Sequence, residues 1–448
     1  MKKPVRLIAG WLFQFLNSLI PQFLNSSINQ FLNYFGAMKN TTNPRIALAL
    51  VTSLFFLWAL AIQLNPILIP HLKKACELTD FQSAFVDSAM FIAYFLMAIP
   101  AGIFMQKRGY KAGIITGLLL FATGAFLFWP AAAAVSYPFF LVALFVLASG
   151  LTMLETAANP YVTVLGDPET ATQRLNLAQS FNGLGSFIAP LLGGMFILSD
   201  PNSIDKTIAG TPEHQQFLME TASSVKVPFL CVGLLVLFVA VLFSLINLPD
   251  IRSGKTGNIR AGLWRLLKIK TLRSAVIAQF FYVGAQVCIS SFFIRFAAQT
   301  AGFDQKLAAK WLAAALLLFM VGRFLGTFLM QFVKPSRLLT IYATACVLLT
   351  GAAVFIGGIT SIYCLLAVEF FMSILFPTIF SMGVHGLGDD AKLGSSLIIM
   401  AIVGGAVLPP ILGQLSDATS IQTAYLVPMA GFAFVALFGF AKMREAVD

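Results

Sequence analysis

Apolar stretches of about 20 residues, each long enough to cross a hydrocarbon core as a helix, recur along the chain between short polar breaks. Twelve can be delimited, at 47–70, 82–105, 112–134, 137–165, 173–198, 224–247, 273–300, 307–333, 336–356, 359–383, 392–415 and 422–442. Within them the polar residues are few and fall at helical spacing, which predicts an all-α membrane protein with twelve transmembrane helices. The polar segment 248–272 carries Gly254, Gly257 and Gly262 and splits the runs six and six. The predicted parts are an N-terminal segment (1–46), an N-terminal six-helix bundle (47–247), a cytoplasmic basic linker (248–272), a C-terminal six-helix bundle (273–442) and a cytoplasmic tail (443–448).

The two sets of six echo each other. GSFIAPLLGG at 185–194 resembles GAVLPPILGQ at 405–414, so that Gly185, Pro190 and Gly193 recur as Gly405, Pro410 and Gly413. Pro160 of the fourth span corresponds to Pro377 of the tenth, and each is followed by Leu-Gly-Asp, at 165–167 and 387–389. Helix packing and kinks account for many such residues, as the small-xxx-small pair Gly322 and Gly326 illustrates. Packing alone does not require matching positions in both halves. Two pseudo-symmetric six-helix bundles are the layout of a rocking transporter, with its site at mid-membrane between them.

Composition supports this picture: 58% of the 448 residues are hydrophobic and 10% charged, too few charges to clothe a soluble core of that size. The net charge of +11 invites a nucleic-acid partner, but its distribution argues for a lipid bilayer. With the N-terminus inside, most of the 29 Lys and Arg fall on the inner side, leaving Lys73, Lys74, Lys206, Lys226, Lys306 and Lys310 outside. That bias places both termini in the cytoplasm of a multi-pass inner-membrane protein. The cluster from Arg252 to Arg273 borders anionic headgroups, and no nucleic acid is expected. The five cysteines show no paired spacing and read as core residues. A monomer is expected. In residues 1–37 the tetrapeptide QFLN occurs at 14–17, 22–25 and 30–33. An amphipathic surface segment is one reading; upstream read-through, with translation starting at Met38, is the preferred one.

Candidate chemistry lies in the polar residues at depth. Glu155 stands in an otherwise uncharged run, where a carboxylate facing lipid would cost about 2.5–3.5 kcal/mol. Asn159 shares its helical face. Further stripes are Gln63 and Asn65 beside Pro66, then Asn176, Gln179 and Asn182, and then Gln279, Tyr282, Gln286 and Ser290. Interhelical bonding explains one amide, at about 0.6 kcal/mol per bond. Several stripes together suit a hydrated cavity whose donors and acceptors match a sugar's hydroxyls. Burial favours the neutral carboxyl, so Glu155 is suited to take up and release a proton. Asp87, in the outer part of the second span, is either a second such group or a wetted helix-end residue. Glu369, Arg295 and Arg323 are expected to neutralise one another in the C-terminal half, with the choice of arginine open.

An integral membrane enzyme acting on lipid-linked sugars would need clustered acids, histidines or metal ligands. His71, His214 and His385 are scattered, no HExxH occurs, and no metal or cofactor is expected. Gly254-Lys255-Thr256 lacks the first glycine of a phosphate-binding loop, since Pro249 stands there.

The stretches FFLWAL, IPAGIFMQKRGYKAGIITGL, LETAANPYVTVLG, RLNLAQSFN and FMSILFPTIFSMG closely resemble the fucose–galactose–glucose:proton symporters of the major facilitator superfamily, from about Arg45 onward. The resemblance implies an alternating-access symporter that imports a hexose or deoxyhexose with a proton. A sodium-coupled sugar transporter is the alternative. It also implies that Glu155 is a proton-coupling carboxyl, with Gln179 and Asn182 lining the same cavity. One departure matters: L-fucose members carry an essential aspartate in the first span, in a stretch resembling NNLND, whereas this chain reads IQLNP at 62–66. Asp87, on the next helix at similar depth, is expected to supply that second carboxyl. A second departure is ILFPTIF in the tenth span, where those members have polar and tyrosyl residues before the proline.

Overall fold

A computed structural model describes residues 44–79, 82, 85–196, 211–245 and 259–445. The QFLN tract, the Met38 start and linker positions 248–258 lie outside the described residues.

Span 1 is Pro44–Ala75, and spans 2 and 3 form one helical run, Phe85–Ala133, in which the chain turns at Gly109. Gly109 has φ 85° and ψ 170°, a region open in practice to glycine alone. Thr79 and Gln82 cap the entry to span 2 reciprocally, Thr79 N–H donating to Gln82 Oε1 at 2.9 Å and Gln82 N–H to Thr79 Oγ1 at 3.1 Å. Span 4 is Tyr137–Val164, span 5 is Ala171–Phe196 and span 6 is Lys226–Leu245. A short helix, Pro212–Ser223, precedes span 6 and is capped by Thr211, whose Oγ1 accepts from His214 N–H.

In the second half, span 7 is Lys270–Ala301, span 8 Gln305–Leu329 and span 9 Pro335–Ile356. Span 10 is broken into Gly358–Met372 and Leu375–Val384, just before Pro377, whose missing N–H and ring disfavour a continuous helix there. Its counterpart Pro160 sits inside an unbroken span 4. Span 11 runs as Ala391–Met400, a 3-10 turn at 401–403, and Gly404–Ala418; span 12 is Ile421–Ala424 and Leu426–Glu445. Among the described residues nine helices are long and apolar enough to cross a membrane. One of them holds spans 2 and 3, and spans 1 and 5 complete the twelve.

Both Leu-Gly-Asp repeats stand at a 3-10 turn that precedes a helix. The turn follows the first repeat, at Pro168–Thr170, and overlaps the second, at Gly388–Asp390, and the helices start at Ala171 and Ala391. The end of the bundle carrying these turns is here the near end, and the opposite one the far end. The linker read as polar contains a helix, Ile259–Lys268, tied to the near end by an Arg265–Asp390 ion pair.

Outward-facing Phe238, Leu348, Phe355 and Leu437 are exposed, as expected where the surrounding solvent is hydrocarbon. Spans 3 and 4 approach backbone to backbone: a Cβ on Gly150 would lie 2.3 Å from Phe121 N, and one on Gly124 2.3 Å from Leu147 N. Gly150→Val should therefore lower stability by about 1–3 kcal/mol through overpacking. A fall in the melting temperature of the detergent-purified protein checks this, whereas an unchanged value would mean that the helices separate freely.

Candidate functional site

Span 4 carries the acid. Residues 147–163 of this span are buried throughout, because it packs on spans 2, 3, 5 and 11. Glu155 is 5% exposed. Its Oε1 accepts a hydrogen bond from the Tyr94 hydroxyl of span 2 at 2.5 Å. Among the described residues no cation lies within ion-pair distance of it. A charge there has a single hydroxyl for compensation, so the site suits a group that alternates between neutral and ionised forms.

From Glu155 a line of polar contacts runs to the other half. Asn159 Nδ2 donates to the Glu155 carbonyl at 2.9 Å, and Gln179 Nε2 of span 5 donates to Asn159 Oδ1 at 3.1 Å. Arg323 of span 8, 4% exposed, then crosses between the halves. Its Nη1 donates to the Gln179 carbonyl at 2.7 Å, to Gln179 Oε1 at 3.3 Å and to Asn182 Oδ1 at 3.0 Å. Its Nε donates to the Ser373 carbonyl of span 10 at 2.8 Å, and its guanidinium lies 4.6 Å from the centre of the Phe319 ring.

Below this line, toward the near end, the halves are sealed. The Thr172 and Ser381 hydroxyls pair at 2.9 Å, Asn176 Nδ2 donates to Thr378 Oγ1 at 3.1 Å, and Ser395 Oγ donates to the Thr156 carbonyl at 3.2 Å. Lys392 caps the seal with its ammonium 4.7 Å from the Tyr110 ring centre. Arg174, buried under the 4–5 turn, donates to the carbonyls of Val162 and Thr163 at the end of span 4 and of Asp167 in the turn.

The structure thus brings together Glu155, Asn159, Gln179 and Asn182. Gln63 and Gln286 are half-buried on spans 1 and 7, and the side chain of Asn65 lies outside the described residues. Tyr282 is fully buried, its hydroxyl donating to the Met372 carbonyl at 3.0 Å; in this state it belongs to the interior of the C-terminal half. Asp87 is exposed, eight residues after the capping Thr79 and seven before Tyr94, on the face that Tyr94 shares.

The expected neutralisation of Glu369 by arginine is not found. Arg295 reaches the far end of span 7 and pairs with Asp417 at 2.9 Å, both exposed, while Arg323 is drawn across to the acceptors of span 5. Among the described residues Glu369 accepts from Ser290 Oγ alone, at 2.9 Å. Helical depth alone placed these side chains near one another; neighbours contributed by other helices decided where they turned. Sequence reasoning also missed Tyr94, Thr172 and Arg174. For Tyr94 a signal existed: it is the polar residue two turns from Asp87.

Residues 46–402 match the Major Facilitator Superfamily. The chain is 45% identical to the L-fucose-proton symporter of Escherichia coli over 417 residues, covering 90% of this chain and 94% of that one. It is 39% identical to a glucose/galactose transporter of Brucella abortus, covering 89% and 94%. Its structure superposes on the crystal structure of the transporter FucP in the outward conformation with a TM-score of 0.81 at 43% identity, covering 89% and 98%. The sealed near end agrees with that fold and with an alternating-access transporter, not an enzyme. The chain belongs to the Major Facilitator Superfamily.

Proposed function

We propose that this chain is a monomeric proton-coupled importer of a hexose or 6-deoxyhexose, with L-fucose, galactose and glucose as the first candidates. The near end faces the cytoplasm of an inner membrane, as the excess of basic residues there requires. The observation that carries the proposal is the buried Glu155 carboxyl, bonded to Tyr94 and followed one turn on by the amides of Asn159, Gln179 and Asn182. The amides offer a sugar both donors and acceptors. The carboxyl, once protonated, allows the far end to close over the cargo without burying a charge.

Binding from outside, closure, and opening of the seal formed by spans 4, 5, 10 and 11 then deliver sugar and proton inward. L-fucose and the hexoses differ at the sixth carbon. Leu375 and Phe376 put apolar surface beside Pro377, with the Phe376 and Tyr282 ring centres 6.4 Å apart. Uptake of radiolabelled L-fucose, galactose, glucose and N-acetylglucosamine into proteoliposomes, with and without an imposed pH gradient, tests the proposal. Uptake should rise with the gradient in sodium-free buffer; dependence on sodium alone would overturn proton coupling.

Asp87 serves in this scheme as the outer proton acceptor that feeds Tyr94 and Glu155. Asp87→Asn should remove the share of gradient-driven uptake that Glu155 couples while sugar exchange persists. Full uphill transport by that variant would remove Asp87 from the route.

A further inference from the structure

A second buried carboxyl lies in the C-terminal half, outside the route just described. Glu369 of span 10 is 0% exposed, accepts from Ser290 Oγ of span 7 at 2.9 Å through Oε1, and among the described residues has no partner for Oε2. Among the described residues no Lys, Arg or His stands within ion-pair distance of it. The titratable groups around it are Tyr282 from span 7, Cys346 from span 9 and Tyr425 from span 12. From span 8 comes Arg323, bound to the carbonyl of Ser373, one turn further along span 10. An acid with one donor and no cation, wholly out of water, is in the setting of a neutral carboxylic acid.

We propose that Glu369 is a second proton carrier, so that each half contributes one acid and two protons accompany each sugar. This rests on the proton-symport reading above. Ser290 is half-buried and aligned with Gln286 one turn away, which makes its hydroxyl the entry point. A proton from outer water adds to the Glu369 carboxylate, and the O–H bond breaks when the near end opens, with the proton passing to inner water. Arg323 supplies the coupling. In the sealed state its acceptors are on span 5; when the halves part there, it loses them. Glu369, one turn back on the helix it still holds, then becomes its available counter-charge and gives up its proton.

The test is the charge-to-sugar ratio, read from reversal potentials in proteoliposomes. The wild type should move two charges per sugar, Glu369→Gln one, and both should exchange sugar equally well. At 100 mV this is a drop in limiting accumulation from about 2,500-fold to about 50-fold, since each proton contributes about 50-fold. A ratio of one in the wild type, or of two in the variant, overturns the proposal. Should the variant fail to fold, carbodiimide modification of the wild type decides, because that reagent attacks protonated carboxyls in apolar surroundings. Label on Glu369 is expected, and none would overturn the assignment. Failure of symport itself gives a different pattern, with no gradient-driven uptake in the wild type and no effect of replacing Glu155.

Discussion

Glu155→Gln should cut gradient-driven sugar accumulation in proteoliposomes by about 50-fold at 100 mV while leaving sugar-for-sugar exchange running. The amide imitates the protonated acid in size and charge, so both half-reactions that move a loaded carrier remain open. What disappears is the ionised form, and with it the requirement that a proton return to water before the empty carrier resets. At 100 mV one coupled proton supports about 50-fold accumulation, so the variant should fall short of the wild type by that factor and keep only the share that Glu369 couples. Tyr94 has the matching role on the other side of the equilibrium. Among the described residues its hydroxyl gives the one hydrogen bond the carboxylate side chain receives, at 2.5 Å. Charge at this depth is disfavoured by about 2.5–3.5 kcal/mol on insertion scales, against which a hydrogen bond to a charged group returns about 1.5–3 kcal/mol. The two terms are close in size, as the proposed change of form within a transport cycle requires. Uphill accumulation by Glu155→Gln at the wild-type level would overturn this account of coupling.

The architecture was largely legible because lipid imposes one solution per span: a helix with its polar residues gathered on one side. The repeat of Gly, Pro and Leu-Gly-Asp motifs marked the two halves, and a 3-10 turn leading to a helix stands at both Leu-Gly-Asp sites. Helical spacing likewise joined Glu155 to Asn159. It could not say which helix faces which. Tyr94 reaches Glu155 from a helix 61 positions earlier, and Arg323 reaches Gln179 across 144. A long, forked guanidinium finds carbonyl acceptors on several helices, so charge complementarity in one half was a poor guide to its partner. The split of span 10 and the continuity of span 4, despite equivalent prolines, show that tertiary contacts decide whether a proline breaks a membrane helix.

Arg323 gives the other large effect. Its Nη1 holds three acceptors on span 5, and its Nε holds span 10, so one side chain clamps the halves just above the Thr172–Ser381 seal. The near end cannot open until the span 5 contacts are released. Hydrogen bonds to a charged donor contribute about 1.5–3 kcal/mol each, and losing the equivalent of one shifts an open–closed equilibrium by about tenfold to a hundredfold. Arg323→Gln should therefore raise the population open at the near end by that factor in the absence of sugar. Ser381→Cys provides the readout. Position 381 is 4% exposed and sealed against Thr172, so its thiol should react slowly in the parent and faster by the same factor alongside Arg323→Gln. The measurement requires a background in which Cys76, Cys231, Cys288, Cys346 and Cys364, all free thiols, are replaced. Arg323→Lys should not restore the slow rate, because a single ammonium lacks the fork that reaches span 5 and Ser373 together. Unchanged labelling in Arg323→Gln would mean that Thr172, Asn176 and Ser395 hold the seal without the clamp.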